Sequence, residues 1–226
     1  MRPRIVFIHT VTGLEQAFAE LCRDRIPDAQ LSHIADESLI QQVLAAGGLT
    51  PAVYRRMCDH VVAAEQNGAN AIQLTCSSVS PCVDIARHLV AVPVLKIDEP
   101  IVDQLVRKYD RIGVIATAPT TLKPTGDLLR EKARFHRREV ELQTVLCEGA
   151  YDAFFAGDMD RHDEIVRTHL RELMPEVDVV LLAQASMARV ADTLARDEKP
   201  VPILSSPRPA IEHLAKLIIP AEPRTQ

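Results

Sequence analysis

The sequence predicts an α/β protein made of two similar lobes, each built on a parallel sheet. Three short apolar segments recur in the same order, and each copy is displaced from its partner by about 108 residues. The paired segments are 4–10 with 111–117, 71–78 with 179–186, and 92–95 with 201–204. Each is a short β-branched run that ends in small or polar residues, which is typical of a buried parallel strand entering a loop.

Helical spacing appears between these predicted strands. The residues that share one helix face are Val53, Met57, Val61 and Ala64 in the first copy and Ile165, His169, Leu170 and Leu173 in the second. Because strand and helix alternate along the chain, we expect a parallel sheet with right-handed crossovers in each lobe.

The repeat also predicts the domain boundaries. We expect lobe one to comprise residues 1–97 plus 206–226 and lobe two to comprise residues 98–205. The last segment is predicted to be a helix that packs on lobe one, with Ser206 as its N-cap and Pro207 at its first position. Reactive groups in such sheets gather beyond the carboxyl ends of the strands. Two pseudo-symmetric lobes would point these ends at each other, so we expect the active site in the interlobe cleft.

Composition and charge exclude several classes of function. A net charge of -5 gives no electrostatic reason to bind a nucleic-acid backbone. The first apolar run, residues 5–8, is too short for a signal peptide, and no segment reaches the roughly 18 apolar residues of a membrane span. We therefore expect a cytoplasmic protein that binds neither nucleic acid nor membrane, and we expect it to form a homo-oligomer. No glycine-rich phosphate loop occurs, so a nucleotide cofactor is not expected.

The five cysteines are expected to be reduced thiols, and the absence of a CxxC pair gives no reason to expect a metal. Cys76 stands apart because it ends a predicted central strand and is followed by Ser77, Ser78 and a predicted helix. We expect the helix dipole and nearby N–H groups to lower the pKa of its thiol, as a base or nucleophile requires. Cys82, in the first turn of that helix, could serve as a secondary thiol. The cysteines expected to be inert are Cys22, Cys58 and Cys147.

Hydroxyl side chains gather at the ends of the predicted strands. They are Thr10, Ser77, Ser78, Thr117, Thr120, Thr121 and Ser186. Together with the backbone amide of Ala185, they suit a carboxylate that is held without a cation. Threonines at strand ends also cap helices, and this alternative stays open.

Three further features have a structural and a functional interpretation. His9 at the first strand end is a candidate substrate contact and proton donor, or else a histidine of the core. Asp36 and Glu37 reach the cleft rim or cap a helix. The acidic cluster at residues 158–163 matches no defined metal site and is predicted to begin a helix.

On these residues the chain resembles the aspartate/glutamate/hydantoin racemase superfamily, over essentially its whole length. The segment Cys76-Ser77-Ser78 is similar to the family's Cys-Asn-Thr-like motif, and residues 117–121 resemble its threonine-rich loop. The resemblance implies two pseudo-symmetric α/β lobes, each offering a cysteine at the cleft. It also implies isomerase chemistry, namely racemisation without a cofactor.

One position departs from the family's pattern. The second catalytic cysteine of the family stands in a Leu-Gly-Cys-Thr segment, and residues 182–185 of this chain are Leu-Ala-Gln-Ala. The resemblance therefore assigns the two catalytic positions to Cys76 and Gln184. A glutamine cannot exchange a proton as a thiol does, so racemisation by two thiols is not expected.

Three functions are left open by the sequence. The first is a cofactor-independent enzyme that acts on a small carboxylate, such as an amino acid, hydantoin or dicarboxylate, with Cys76 as base or nucleophile. The second is a lyase or decarboxylase with a single thiol, since maleate isomerases and arylmalonate decarboxylases share the fold of the family. The third is a non-catalytic protein that binds a small carboxylate.

Overall fold

The computed structural model describes residues 2–184 and 187–219, and it divides into two compact units. The first unit runs to Ile97 and resumes at Pro207, and the second comprises Asp98–Ser206. Each unit is a four-stranded parallel sheet with flanking helices, which confirms the predicted fold class. Within the described ranges, no helix has the length and apolar character needed to cross a membrane.

Strands and helices alternate through both units. The strands are β1 (Arg4–His9), β2 (Gln30–Ala35), β3 (Ala71–Leu74), β4 (Val94–Leu95), β5 (Arg111–Ala116), β6 (Glu141–Leu146), β7 (Val179–Leu182) and β8 (Ile203–Ser205). The helices are α1 (Glu15–Arg25), α2 (Glu37–Ala46), α3 (Pro51–Gln66), α4 (Cys82–Ala86), α5 (Glu99–Lys108), α6 (Pro119–Phe135), α7 (Ala150–Phe155), α8 (Met159–Leu173), α9 (Ala188–Thr193) and α10 (Pro207–Ile218). Short 3₁₀ turns lie at Ser77–Val79, Met174–Glu176 and Arg196–Glu198.

The two sheets have the same strand order and the same register. The order is β2-β1-β3-β4 in the first unit and β6-β5-β7-β8 in the second. Ile5 pairs with Ala71 between β1 and β3, and Ile112 pairs with Val179 between β5 and β7. The repeat detected in the sequence is therefore a structural repeat, down to the pairing of single residues.

Helices cover both faces of each sheet, so the central strands are buried and mostly apolar. In the first unit α2, α3 and α4 pack on one face, and α1 and α10 pack on the other. In the second unit α5 and α6 cover one face, and α7, α8 and α9 cover the other. Each unit thus uses the helix that follows the other unit's last strand, because α5 follows β4 and α10 follows β8.

The predicted helix faces are confirmed for α3 and revised for α8. All four residues predicted to face the core from α3 are buried. The buried residues of α8 are His162, Val166, Leu170 and Leu173. The predicted Ile165 and His169 are only partly buried, since the buried stripe starts at His162, which the apolar pattern did not include.

Two predicted helix starts have different outcomes at their caps. Asp158 caps α8 as expected, since its side chain accepts a hydrogen bond from the Arg161 N–H at 3.1 Å. Pro207 begins α10 as expected, but the buried Ser206 Oγ has no hydrogen-bond partner among the described residues. The predicted cap hydrogen bond of Ser206 is therefore not formed.

Candidate active site

Cys76 lies two residues beyond the end of β3, a central strand of the first sheet. Its backbone is extended, with φ -126° and ψ 119°, and the chain then turns at once into the 3₁₀ turn Ser77–Val79. After Pro81 it enters α4. Ligand sites of parallel sheets form beyond the carboxyl ends of strands, and Cys76 occupies such a position.

Hydrogen-bond donors surround the Cys76 sulfur. They are the Thr10 hydroxyl, the hydroxyl and backbone N–H of Ser78, and the backbone N–H of Val79. Thr10 follows β1 and Ser78 follows β3, so two adjacent strand ends contribute to the same sulfur. Donors in this arrangement stabilise the thiolate relative to the thiol.

Burial nevertheless raises the pKa of the Cys76 thiol above its ordinary value, and these hydrogen bonds offset only part of the rise. The expectation of a lowered pKa was therefore wrong. The reason is that the 3₁₀ turn has three residues and α4 has five, too few for a strong helix dipole, whereas removing a thiolate from water is costly.

The other four cysteines also carry raised pKa values because they are buried. Burial raises the pKa of Cys22 to about 11 and those of Cys82 and Cys147 to about 12, and it raises the pKa of Cys58 as well. All five cysteines lie within the described residues, and Cys76 is the one that keeps partial exposure. Partial exposure and the donors around its sulfur therefore distinguish Cys76, and the direction of its pKa shift does not.

His9 is fully buried at the end of β1, and both of its ring nitrogens are engaged inside the first unit. Nδ1 lies 2.9 Å from Thr75 Oγ1, and Nε2 lies 2.9 Å from His33 Nδ1. Burial, together with the nearby His33, lowers the pKa of His9 to about 4. His9 is therefore neutral near pH 7, and we no longer expect it to donate a proton to a substrate.

Asp36 is a structural group at the start of α2. Its side chain accepts hydrogen bonds from the Ser38 N–H at 3.2 Å and from His60 Nε2 at 2.7 Å, and it pairs with the Arg56 guanidinium. Burial acts to raise its pKa, but these bonds lower the pKa of Asp36 to about 2. The neighbouring Glu37 accepts a hydrogen bond from Thr12 Oγ1 at 2.8 Å, which ties the loop after β1 to α2.

Gln184 occupies in the second unit the place that Cys76 occupies in the first, two residues beyond the end of a third strand. Its side-chain oxygen accepts hydrogen bonds from the Thr117 N–H, from Thr117 Oγ1 at 3.0 Å and from the Ala118 N–H at 3.3 Å. Two of these donors are backbone amides, so they orient the amide with its oxygen toward the start of α6. Gln184 thus occupies Thr117, one of the donors that we expected to receive a substrate carboxylate.

The remaining predicted site residues fall into two sets. Thr120 and Thr121 are buried in the first turn of α6, and Ser77 is buried in the 3₁₀ turn after Cys76. Ala185 and Ser186 lie outside the described residues. No group of three or more His, Cys, Asp or Glu side chains in the described part of the chain could hold a metal ion.

Three residues near the candidate site were missed by sequence reasoning. Thr75 and His33 contact His9, and Ala118 contacts Gln184. Thr75 directly precedes Cys76, and this position alone could have drawn attention to it. His33 and Ala118 carry no local signal, because their partners are distant in the sequence.

The fold and the polar loops define a class of protein in which one α/β unit occurs twice, with a candidate reactive loop after the third strand of each copy. A family model described as Asp/Glu/Hydantoin racemase matches residues 5–214. The chain therefore belongs to the Asp/Glu/hydantoin racemase family, which confirms the resemblance inferred from its motifs.

Solved structures with the same fold include three racemases. Glutamate racemase from Francisella tularensis, in complex with D-glutamate, has 16% identity and a TM-score of 0.74, and 96% of this chain aligns with 80% of that one. Aspartate racemase from Picrophilus torridus has 12% identity and a TM-score of 0.71, with coverage of 95% and 94%. Allantoin racemase from Klebsiella pneumoniae has 18% identity and a TM-score of 0.67, with coverage of 96% and 87%. No curated protein sequence matches the chain significantly.

Proposed function

We propose that this protein is a cofactor-independent enzyme that acts on a small carboxylate, with Cys76 as the reacting thiol. The observation that carries the proposal is the set of donors around the Cys76 sulfur, which come from two strand ends. An inert core cysteine is a small hydrophobe and gains little from such donors. Family membership and the partial exposure of Cys76 support the same conclusion.

As a base, the Cys76 thiolate removes the proton α to a carboxylate, and the electron pair passes into an enolate that backbone N–H groups can stabilise. Inversion then needs a second acid that returns a proton to the opposite face. Gln184 has no exchangeable acid proton of suitable pKa, and its oxygen is held by Thr117 and Ala118. We therefore propose that one thiol transfers the proton. Gln184 then holds its own loop against Thr117 and Ala118 and contributes to substrate binding.

The raised thiol pKa favours one second candidate, a decarboxylase or related lyase with a single thiol. In that reaction loss of CO₂ leaves a carbanion, and a neutral thiol protonates it from one face. A thiol that stays protonated at neutral pH suits this acid role better than the role of base. The two candidates predict opposite pH dependence. A base becomes more active as pH rises towards the thiol pKa, and an acid becomes less active.

The test is to incubate the protein in heavy water with amino acids, hydantoins and small dicarboxylates, and to follow deuterium incorporation by NMR. We expect incorporation for at least one class, and Cys76→Ser should lower its rate by about 100-fold or more, the usual contribution of a proton-transfer group. Cys82→Ser is the matched control, since it removes a buried thiol of the same core cluster.

If Cys76→Ser incorporated deuterium into the compound as fast as the wild type does, another group would be shown to transfer the proton. Stabilisation of the fold by a carboxylate, without exchange or turnover of any compound, would identify a binding protein instead. The dependence of the rate on pH between about 6 and 10 then separates the base from the acid.

A further inference from the structure

A chain of hydrogen bonds runs through three strands behind Cys76. Thr75 at the end of β3 contacts His9 at the end of β1, and His9 contacts His33 on the edge strand β2, with 2.9 Å at each contact. The two imidazole rings are close to coplanar, with centroids 5.2 Å apart and planes 15° from parallel, as an in-plane hydrogen bond between them requires. Phe7 stacks on His33 at 5.4 Å, so the histidines are held in an aromatic layer.

Neutral histidine rings can form every hydrogen bond of this chain, and the donors can point along it in either of two directions. When the Thr75 hydroxyl donates to the Ile8 carbonyl, 3.1 Å away, His9 donates through Nδ1 to Thr75 and accepts from His33. When Thr75 donates to His9 instead, His9 donates through Nε2 to His33. Both directions use one proton at each contact, whereas two charged rings would place two protons between them.

The chain lies on the face of the sheet opposite to the Cys76 sulfur. Side chains alternate between the two faces of a strand, so His9 and Thr10 point to opposite sides, and so do Thr75 and Cys76. On the side of α1, Thr75 contacts His9; on the side of α3, Thr10 donates to the Cys76 sulfur. The two strand ends are thus joined twice, once on each face.

We propose that His33 is a positioning residue for Cys76, acting through His9. The ring of His33 fixes His9, and His9 fixes the end of β3 through Thr75. Held in this way, the strand ends keep the Thr10 hydroxyl directed at the sulfur. The inference rests on the proposed function in one respect, that Cys76 is the reacting thiol.

The environment of His9 and His33 leaves both rings uncharged at the pH at which the Cys76 thiol titrates. Burial lowers the pKa of His9 to about 4 and also lowers that of His33, while Glu15 at the start of α1 acts to raise both. Both rings are therefore neutral throughout the range in which the Cys76 thiol titrates. A change of thiol titration on mutating His33 cannot then come from a lost positive charge.

The test measures the rate of Cys76 alkylation by iodoacetamide from about pH 7 to 11, mapped by mass spectrometry, which gives the titration curve of the thiol. His33→Phe keeps a ring that can stack on Phe7 but removes Nδ1. His33→Asn loses the ring but places an amide near the position of Nδ1. Ser32→Ala is the control, since Ser32 is exposed on the same strand.

We expect His33→Phe to slow alkylation at pH 8 by about fivefold, the effect of one weakened hydrogen bond, and to shift the titration to higher pH. His33→Asn should recover the rate to within about twofold of the wild type. Thr10→Val should produce the larger loss, and His33→Phe should add little to it, because both act on the same bond.

Two results would overturn the positioning role: an unchanged titration in His33→Phe, or the same slowing in the Thr10→Val background as in the wild type. Far-ultraviolet circular dichroism of each variant confirms that the fold is retained. Failure of the proposed function has a different signature: either Cys76→Ser keeps turnover, or the wild type turns over no compound, whatever the alkylation rates show.

Discussion

At the scale of single residues, the two equivalent loop positions have been specialised differently. Cys76 is partly exposed and accepts hydrogen bonds through its sulfur, whereas Gln184 turns its oxygen into its own unit. A cysteine at position 184 would be shorter and would leave the Thr117 and Ala118 N–H groups without this acceptor. The second unit therefore has an internal hydrogen-bonding group at the position where the first unit has a partly exposed thiol.

Because Gln184 stands at the position equivalent to Cys76, substitutions of Gln184 should affect substrate binding and the chemical step separately. Gln184→Ala frees the Thr117 and Ala118 amides and loosens their loop, so KM should rise by about tenfold while kcat falls less than threefold, as for the loss of one or two hydrogen bonds. If proton transfer by one thiol is correct as proposed, Gln184→Cys should add stereoinversion, because it places a second thiol at the equivalent position. Steady-state kinetics with chiral analysis of the product measures both effects.

Gln143→Ala is the matched control for these variants, since Gln143 is exposed on β6. Efficient racemisation of one substrate in both directions by the unmodified protein would contradict the assignment of Gln184. A fall in kcat alone in Gln184→Ala would also contradict it, since that result belongs to a group that acts in the transition state.

At the scale of elements, the repeat conceals one difference in how a helix approaches its sheet. Gly113 on β5 is equivalent in register to Val6 on β1. A Cβ atom at position 113 would lie 2.9 Å from Leu173 Cδ2 and 3.2 Å from Val177 Cγ2. The C-terminal end of α8 therefore packs closer to β5 than a larger side chain allows.

Gly113→Ala should destabilise the second unit by about 1–3 kcal/mol, since the added methyl group overpacks a core that has no room for it. Gly48→Ala is the control, because a Cβ atom there meets nothing within 4 Å, and its effect should stay within about 0.5 kcal/mol. Urea unfolding followed by circular dichroism measures both changes. Equal midpoints for Gly113→Ala and the wild type would show that Leu173 moves aside freely.

At the scale of the whole molecule, each unit has its own core, and we expect the two units to differ in their response to pH. The buried His9 of the first unit is equivalent to Ala116 in the second, so the hydrogen-bonded pair of His9 and His33 belongs to the first unit alone. A histidine that is buried in its neutral form does not lower the free energy of unfolding at a pH where the unfolded chain is also neutral. It lowers that free energy at a pH where the unfolded chain binds a proton that the folded state does not. Acid should therefore affect the first unit through this pair and leave the corresponding position of the second unaffected.

The pKa of His9 is about 4 in the folded protein, against the ordinary histidine value of 6.5 that applies to the unfolded chain, so between these values the unfolded chain binds the extra proton. Stability from this group is complete above pH 6.5 and is lost as pH falls towards 4, by about 3 kcal/mol for His9. Urea unfolding at about pH 7 and about pH 4.5 measures the loss. His9→Phe should show a smaller dependence on pH, and His213→Ala, at an exposed position of α10, should match the wild type. An identical dependence in His9→Phe would assign the loss to other groups.

Sequence patterns alone predicted three features: the parallel α/β repeat, the α3 core face, and the placement of Cys76 and Gln184 at equivalent strand ends. These features follow from local patterns, because β-branched runs and helical spacing show in neighbouring residues and the repeat carries them from one unit to the other. Cys76 and Gln184 follow from counting along the same repeat.

The folded structure was needed to show what surrounds these residues. It reversed the expected direction of the Cys76 pKa, because the desolvation of a thiol depends on every atom packed around it and not on the helix that follows. It turned His9 from a candidate proton donor into a neutral partner of Thr75 and His33, and it showed Gln184 bound to Thr117. Each of these contacts joins residues more than 20 positions apart, where a single sequence holds no record of the pairing.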